Sequence, residues 1–330
     1  MGKLDTPEVM ANILITVPSN QLPQSGNCVT ADRWADMLRK LRHTVTIQGA
    51  SAKFEKSYDL LIAMHAKHSA NAIAAVRRQS LPMQIVVVMT GTDLYRDLCA
   101  SKVPKRSMDQ ADRVVVLQDQ AIHQVPAEIK RKVFVIFQSA TMLKNAPAPL
   151  KRSFEISVSA NLRSVKDPFR TELASRQLPA DSRISISHSG FALSEPMADQ
   201  ALLATAKNRR YRWLGGLPRW KARRLVARSQ ALVVSSKMEG GANVISEALV
   251  NGVTVLASRV SGNVGMLGED YSGYYDFGNT AELSALLSRF ETDVRFRRDL
   301  RKECRQRAKL FTPHCESAAL KELLHVMRVE

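Results

Sequence analysis

Short apolar runs recur along the chain at intervals that leave room for a helix between them. The first half carries NILITV (12–17), HTVTI (43–47), YDLLIAM (58–64), QIVVVM (84–89), DRVVVLQ (112–118) and KVFVIF (132–137). The second half carries FEISVSA (154–160), RISISHS (183–189), YRWLG (211–215), QALVVSS (230–236) and TVLAS (254–258). Runs that are continuously apolar are typical of strands buried on both faces of a parallel sheet. The pattern therefore predicts two series of alternating strands and helices.

The two series are separated by NAPAPLKR (145–152), in which prolines, alanines and charges follow no period. Such a segment is typical of an interdomain linker. The length of 330 residues suits two domains of about 150 residues each. We therefore predict an α/β protein of two Rossmann-like domains, 1–148 and 149–330, facing a central cleft, with a last helix able to pack back on the first domain. Ligands of such sheets bind beyond the carboxyl ends of the strands.

The formal net charge of +17 favours anionic ligands. The basic residues are nevertheless spread along the chain, and the densest run, between Arg295 and Lys309, mixes them with acids at helical spacing. Such a run is typical of a solvated helix face. Neither a recognisable nucleic-acid module nor aromatic residues interleaved with a basic patch accompany it. We predict small-molecule substrates and no nucleic-acid partner.

Neither a membrane segment nor a disulfide framework is indicated. The longest apolar runs, such as IVVVM (85–89), are far shorter than the roughly 20 residues that span a bilayer, and residues 1–10 lack the apolar core of a signal peptide. Four cysteines (Cys28, Cys99, Cys304 and Cys315) form no CxxC pair. We predict a cytoplasmic protein with no membrane partner and free thiols, as a monomer or homodimer.

The stretch SKMEGGANVISEALVNGVTVLAS (236–258) places Glu239 and Glu247 eight positions apart, with two glycines after the first. Apolar spacing predicts a helix that begins near Ala242 or Asn243, and a phosphate can bind at such a helix start. Glu239 can then accept hydrogen bonds from sugar hydroxyls and Glu247 from a ribose diol. The residues alone equally allow an ordinary loop acid and an exposed helix residue.

The segment EGGANVISEALVNGVTVLASRVSGNVGML resembles the E-x7-E segment of retaining, nucleotide-sugar-dependent glycosyltransferases of family four, which have the GT-B fold. The resemblance implies that Glu239 contacts the donor sugar and Glu247 the ribose. It implies further donor contacts from Gly240, Gly241, Ala242 and Asn243 to the sugar hydroxyls, and from Val244 and Ile245 to the diphosphate.

A narrower resemblance covers most of the chain between about residues 26 and 290. The segments that carry it are RWADMLRKLRHTVTI, DLLIAMHAKHSANAI, VVVMTGTDLYRDL, ANLRSVKDPFR, YRWLGGLPRWKARRLVARSQALVVSSKMEGGANVISEAL and NVGMLGEDYSGYY. They are similar to the selenosugar synthase family of selenoneine biosynthesis. That family implies transfer of a sugar from a UDP-sugar, typically UDP-N-acetylglucosamine, to the selenium of selenophosphate, with no cofactor beyond these co-substrates. Two alternatives stay open: a GT-B enzyme with another small or lipid-linked hydroxyl or thiol acceptor, and a basic binding protein for nucleotide sugars or nucleic acids.

The chain departs from related transferases at the loop ANLRSVKD. Those enzymes often carry G-R-L-x-x-x-K-G there, and Asn161 stands where the arginine would be. Lys166 is kept as a ligand for the donor diphosphate, and Arg163 is a candidate replacement for the lost arginine. By the same resemblance, the backbone at Leu217 and Pro218 carries the uracil.

No D-x-D motif stands at a convincing strand end, so we predict no catalytic metal, with helix dipoles and cations stabilising the departing diphosphate.

Candidate acceptor residues follow the strands of the first domain. They are Gly26, Asn27, His65, Lys67, Thr90, Gly91, Thr92, Asp93 and Arg96. Related enzymes often read H-G-T-D where this chain reads T-G-T-D, and the hydroxyl of Thr90 cannot act as a base near neutral pH. Selenophosphate is already an anion, so an enzyme base is unnecessary. Taken singly, Lys67, His68 and Arg96 also fit solvated surface charges, His65 a packing residue, and Gly26 with Asn27 an ordinary turn.

Overall fold

The computed structural model describes residues 10–18, 25–50, 53–54 and 57–329. The chain divides into two compact units: Met1–Gln138 with His314–Glu330, and Ser139–Pro313. This division falls earlier in the chain than the predicted boundary at 148. The N-terminal stretch that we predicted to lack a signal-peptide core lies outside the described residues up to position 9.

The first unit is built on a six-stranded parallel sheet in the order β2-β1-β3-β4-β5-β6. Its strands are β1 (Asn12–Val17), β2 (Thr44–Gly49), β3 (Leu60–Met64), β4 (Gln84–Met89), β5 (Arg113–Val116) and β6 (Val133–Val135). Before the chain passes to the second unit, the helices of the first unit are α1 (Gly26–Lys40), α2 (Ala70–Arg78), α3 (Leu98–Ala100) and α4 (Lys102–Gln110). A π-helical turn, Asp93–Asp97, precedes α3.

The second unit repeats the design with a parallel sheet in the order β12-β11-β10-β7-β8-β9. Its strands are β7 (Phe154–Ser159), β8 (Ile184–Ser189), β9 (Tyr211–Trp213), β10 (Ala231–Val234), β11 (Thr254–Ser258) and β12 (Tyr274–Tyr275). Its helices are α5 (Arg170–Arg176), α6 (Glu195–Lys207), α7 (Arg219–Arg228), α8 (Asn243–Val250), α9 (Ser261–Leu267), α10 (Thr280–Thr292) and α11 (Val294–Ala308). A last helix, α12 (Pro313–Met327), returns to the first unit.

The predicted arrangement of two parallel α/β sheets is confirmed. In the first unit, Ile13 and Ile62 belong to the core on one face of the sheet, whereas Leu14 and Leu61 belong to the core on the other. Every position of β3 is buried. Because helices cover both faces, the strands are continuously apolar in sequence. The patterns missed only the two-residue strand β12 and displaced some strand ends by a few residues.

The last helix is fastened to the first unit by a buried carboxylate. Glu316 Oε2 accepts a hydrogen bond from Arg33 Nε at 2.7 Å, and its Oε1 accepts one from Trp34 Nε1 at 2.7 Å. Leu320 and Leu323 of α12 join the same core as Trp34. The helix therefore completes the hydrophobic core of a unit whose other elements lie far earlier in the chain.

All four cysteines are free thiols. No helix in the described part of the chain is long and apolar enough to cross a membrane.

A buried histidine should make the second unit sensitive to acid. His188 on β8 is fully buried, with Nε2 at 2.9 Å from the carbonyl of Ala160 and Nδ1 at 2.9 Å from the hydroxyl of Tyr211. Burial lowers the pKa of His188 from 6.5 to about 4, although the bond to Ala160 opposes the shift. The unfolded chain therefore takes up the proton first as the pH falls. The stability present above pH 6.5 should decrease by about 3 kcal/mol as the pH falls toward 4.

Urea unfolding between pH 7 and pH 4.5 measures this loss. Carboxylates titrate over the same range, so the histidine contribution is the difference in slope between the parent and His188→Gln. His123→Gln, at an exposed position, is the matched control. Equal slopes for the parent and His188→Gln would contradict the assignment.

Candidate active site

Three neighbouring strands of the second unit end in loops that are tied to one another. Ser235 Oγ, after β10, donates to the carbonyls of Lys166 and Asp167, both at 2.9 Å, in the loop after β7. Ser258 Oγ, at the end of β11, donates to the carbonyl of Ser236 at 2.6 Å. Since these contacts use main-chain groups, they fix the loop backbones that carry the predicted donor site.

Glu239 is the centre of this loop cluster. Only 8% of the residue is exposed, and its Oε1 accepts hydrogen bonds from Lys166 Nζ and from Ser236 Oγ, each at 2.5 Å. Oε2 has no partner among the described residues. One oxygen of the carboxylate thus holds the protein's own cation, while the other remains available to a ligand hydroxyl.

Helix α9 packs closely against Glu239 and the glycine loop that follows it, Gly240 and Gly241. A Cβ atom at Gly262 would lie 1.8 Å from the carbonyl oxygen of Glu239, so only glycine fits there. The amide of Ala242 donates to Met266 Sδ at 3.0 Å. Gly240 is buried, whereas Gly241 and Asn243 are partly exposed. The amide of Ala242 is thus already hydrogen-bonded to Met266. The predicted contacts of this loop with the sugar donor stay predictions.

Helix α8 begins at Asn243, as the sequence predicted. Its N-cap residue, Ala242, makes no side-chain hydrogen bond to the first turn. Val244 is partly exposed at this first turn, and Ile245 is buried, with its amide donating to the carbonyl of Ala242 at 2.8 Å. A helix start that follows the Lys166–Glu239 pair suits a diphosphate, because amide groups and the helix dipole both favour negative charge.

Glu247 lies one turn into α8 and is held by two arginines of α7. Its Oε1 is 3.0 Å from Arg219 Nη2 and 3.6 Å from Arg223 Nε. The side chain of Glu247 is 13% exposed. The carboxylate predicted to bind a ribose therefore lies in a cationic setting.

Asn161, which stands in place of the arginine of related transferases, and its candidate replacement Arg163 have different surroundings. Asn161 Oδ1 accepts a hydrogen bond from the amide of Phe191 at 3.0 Å, which fastens the loop after β7 to the loop after β8. Arg163 is exposed and makes no ion pair within the described residues. Asn161 therefore serves the backbone, and Arg163 remains available as a candidate phosphate ligand.

The segment predicted to carry a uracil leads into α7. Pro218 is exposed at the N-terminus of α7, and its carbonyl accepts from the amide of Lys221 at 2.9 Å. Leu217 is partly exposed, and Gly215 has a positive φ of 68°, which glycine adopts without strain. The backbone at Leu217 is accessible to a ligand, and its contact with a base stays a prediction.

In the first unit, the predicted acceptor residues cluster after β3 and β4, which are neighbours in the sheet. Asp93 is fully buried there. Its Oδ1 accepts from the amides of Thr90 and Gly91, and its Oδ2 from the amide of Ala66, all at 2.9 Å. Asp93 therefore holds two loops together, and its carboxylate is already occupied by backbone donors.

His65 presents the hydroxyl of Thr92. Its Nδ1 accepts from the amide of His68 at 3.4 Å, so the ring proton resides on Nε2, which lies 3.0 Å from Thr92 Oγ1. Burial lowers the pKa of His65, against the effect of the Asp93 carboxylate, and keeps the ring neutral. With its oxygen accepting from His65, the hydroxyl of Thr92 can donate its own proton to an anion. His65 also has a positive φ of 73°, a strained conformation that is frequent at functional sites.

Lys67 and Arg96 share one carboxylate, Asp97. Asp97 Oδ1 is 3.2 Å from Lys67 Nζ and 3.0 Å from Arg96 Nε. Burial alone would raise the pKa of Asp97, but the hydrogen bonds from Arg96 and Lys67 outweigh it and lower the pKa. These three residues together have a formal charge of +1, which the carboxylate of Asp93 in the same loops offsets.

Gly26 and Asn27 begin helix α1, whereas the sequence placed them in a loop. Ser25 caps this helix by accepting from the amide of Cys28 at 3.4 Å. Their contact with an acceptor stays a prediction.

Sequence reasoning did not find Ser236, Asp97, Arg219 or Arg223, all of which contact predicted site residues. The spacing of Arg219 and Arg223, one helical turn apart directly after the GGLP segment, was a usable signal. Within the described residues, no group of three or more His, Cys, Asp or Glu side chains could hold a metal ion. Metal independence itself remains a prediction.

Comparison with known proteins finds a family similarity in the second unit. The family model described as "Glycosyl transferases group 1" matches residues 155–310. This segment contains Lys166, Glu239 and Glu247. Residues 155–310 are therefore similar to the glycosyltransferase group 1 family. No functionally curated protein is similar enough in sequence to match the chain.

Solved structures extend the likeness over both units. HepE (Alr3699) of Anabaena, solved with UDP and glucose, is 15% identical with a TM-score of 0.73, covering 96% of this chain and 100% of that one. Sucrose-phosphate synthase of Thermosynechococcus elongatus is 15% identical with a TM-score of 0.78, covering 97% and 99%. A trehalose-phosphate synthase of Burkholderia vietnamiensis is 12% identical with a TM-score of 0.68, covering 83% and 74%. At these identities the likeness is one of fold, and the fold is GT-B.

Proposed function

We propose that this protein is a UDP-sugar-dependent glycosyltransferase that transfers a sugar, N-acetylglucosamine in the first instance, to the selenium of selenophosphate. The selenium forms a bond to the anomeric carbon while the bond from that carbon to the diphosphate oxygen breaks and UDP departs. Water then cleaves the selenium–phosphorus bond, which releases phosphate and leaves a 1-selenosugar. The donor belongs to the second unit and the acceptor to the first.

The observation that carries the donor half is the pair of Lys166 and Glu239, which directly precedes the start of α8. Glu239 Oε2 is available to a sugar hydroxyl, and Lys166 with the helix start can stabilise the negative charge that develops on the departing diphosphate. Such preorganised charge is usually the largest contribution to a transfer of this kind. The fold shared with HepE, solved with UDP, supports the choice of nucleotide.

The acceptor half is supported by the sequence resemblance and by the hydrogen-bond donors of the cluster after β3 and β4. Lys67 and Arg96 offer cationic N–H groups beside Asp97, and Thr92 offers a hydroxyl donor. A small anion with several oxygens suits such a site. Because selenophosphate is itself a nucleophilic anion, the neutral, buried His65 need not act as a base.

Mass spectrometry of the purified protein mixed with UDP-N-acetylglucosamine and freshly made selenophosphate tests the proposal. Thiophosphate and phosphate serve as acceptor controls, and Glu239→Gln as the enzyme control. A selenosugar mass together with UDP is the expected result. UDP release without a selenosugar would support the assignment of the donor but overturn that of the acceptor. Hydroxyl or lipid-linked acceptors would then be screened. Binding of polyanions without any turnover would overturn both halves.

Replacing Thr92 with valine should raise the KM for the acceptor by about ten-fold, since a hydrogen bond to a charged group is lost. The kcat at saturating acceptor should change less, and the KM for the UDP-sugar should not change. Thr92→Ser, which keeps the hydroxyl, is the matched control. An unchanged acceptor KM in Thr92→Val would show that Thr92 does not contact the acceptor.

A further inference from the structure

Two arginines on one face of α7 converge on a single oxygen of Glu247. Arg219 and Arg223 are one helical turn apart, and both approach Oε1, at 3.0 and 3.6 Å. No hydrogen bond occupies Oε2 within the described residues. The carboxylate is therefore oriented by its partners, with one oxygen left over for a ligand.

Arg223 is itself held in place from its other side. Its Nη2 donates to the carbonyl of Thr141, and its side chain is 18% exposed, compared with 47% for Arg219. The chain around Thr141 is fixed in turn, because the amide of Leu143 donates to Asn251 Oδ1 at 2.9 Å. Arg223 is thus a rigid, largely buried cation, whereas a contact from the exposed Arg219 is weakened by solvent.

The two arginines also change the charge around Glu247. A lone carboxylate near a diphosphate would repel it, because both are anions. Two guanidinium groups beside Glu247 change the local formal charge from −1 to +1. The carboxylate can then accept hydrogen bonds from a diol without opposing the phosphates.

We propose that Arg219 and Arg223 are positioning residues that orient Glu247 toward the donor ribose and offset its charge, with Arg223 the more important. The inference rests on the proposed function, in which Glu247 binds the ribose. It predicts that the discrimination between UDP and 2′-deoxy-UDP depends on Arg223, although Arg223 need not contact the nucleotide.

Calorimetric titration of both nucleotides into the full-length protein tests the inference. The parent should bind UDP about ten-fold more tightly than 2′-deoxy-UDP, as expected for a lost hydrogen bond to a charged group. In Arg223→Met the ratio should fall toward one, as it should in Glu247→Ala. Arg219→Met should lower it less. Arg223→Lys, which keeps the charge but not the planar donor geometry, should give an intermediate ratio.

Arg224→Met is the matched control. Arg224 lies on the same helix and donates at 3.0 Å to the carbonyl of Asn145, and it forms neither a hydrogen bond nor an ion pair with Glu247. Its replacement should leave the ratio at the parent value. If Arg223→Met only disturbed the structure, the binding of both nucleotides would weaken equally and the ratio of their affinities would stay unchanged.

The outcomes separate the inference from the proposed function. A parent ratio preserved in Arg223→Met would overturn the positioning role while the donor site stands. A ratio near one in the parent would overturn the ribose contact of Glu247 and the inference with it. A parent that binds neither nucleotide would overturn the donor half of the proposed function as well.

Discussion

Replacing Lys166 with methionine should lower kcat by about 10²–10³-fold, the range seen when one preorganised electrostatic contact to a transition state is removed. Two effects combine. The departing diphosphate loses its cation, and Glu239, which is 8% exposed, loses the partner 2.5 Å from its Oε1. The donor KM should change less than kcat, because the charge on the leaving group develops only as the bond breaks. Steady-state release of UDP at saturating donor and acceptor measures the effect.

Lys237 provides a matched control, because it lies in the same loop as Glu239 with an exposed side chain. Lys237→Met should retain the parent kcat. Lys166→Arg keeps the charge but alters the geometry and should recover part of the activity. Titration with UDP shows whether Lys166→Met retains a folded donor site. Parent-like turnover in Lys166→Met would mean that the leaving group is stabilised elsewhere.

Replacing Glu316 with alanine should destabilise the first unit by about 3–5 kcal/mol, as expected when one partner of a buried ion pair is removed. The Glu316 side chain is fully buried, and it accepts two hydrogen bonds from Arg33 and one from Trp34. The variant would leave the Arg33 guanidinium, whose side chain is 14% exposed, without its carboxylate. Urea unfolding should show the transition of the first unit at lower denaturant.

Tryptophan fluorescence can report this transition once the other two tryptophans, Trp213 and Trp220 in the second unit, are replaced by phenylalanine. Glu322→Ala, at an exposed position of α12, is the control and should change the free energy of unfolding by less than about 0.5 kcal/mol. Equal free energies of unfolding for Glu316→Ala and Glu322→Ala would show that the buried carboxylate of Glu316 does not stabilise the first unit.

The sheets and the start of α8 could be predicted because their signals are local. Continuous apolar runs reflect burial on both faces of a sheet, and Ile13 and Leu14 pack on opposite sides of it. The glycines and apolar spacing after Glu239 place the helix start within a residue. Two residues of β12 were too few to form such a signal.

Contacts between distant segments could not be predicted in this way. The pairing of Glu316 with Arg33, like that of Glu247 with Arg219, depends on which helix faces meet in the folded chain. The contacts of Asp93 could not be predicted from its position in the sequence either. Its place after a strand favours a ligand contact, but the structure turns its carboxylate toward three backbone amides.

The return of α12 to the first unit sets an order for folding during synthesis. The core around Trp34 includes Leu320, Leu323 and Leu324, so it cannot close until helix α12 leaves the ribosome. The whole of the second unit is made in between. At about 5–20 residues per second, the wait is on the order of 10–40 s. Of the two units, the one whose synthesis begins first is thus the last to complete its core, and its apolar surface must be shielded meanwhile.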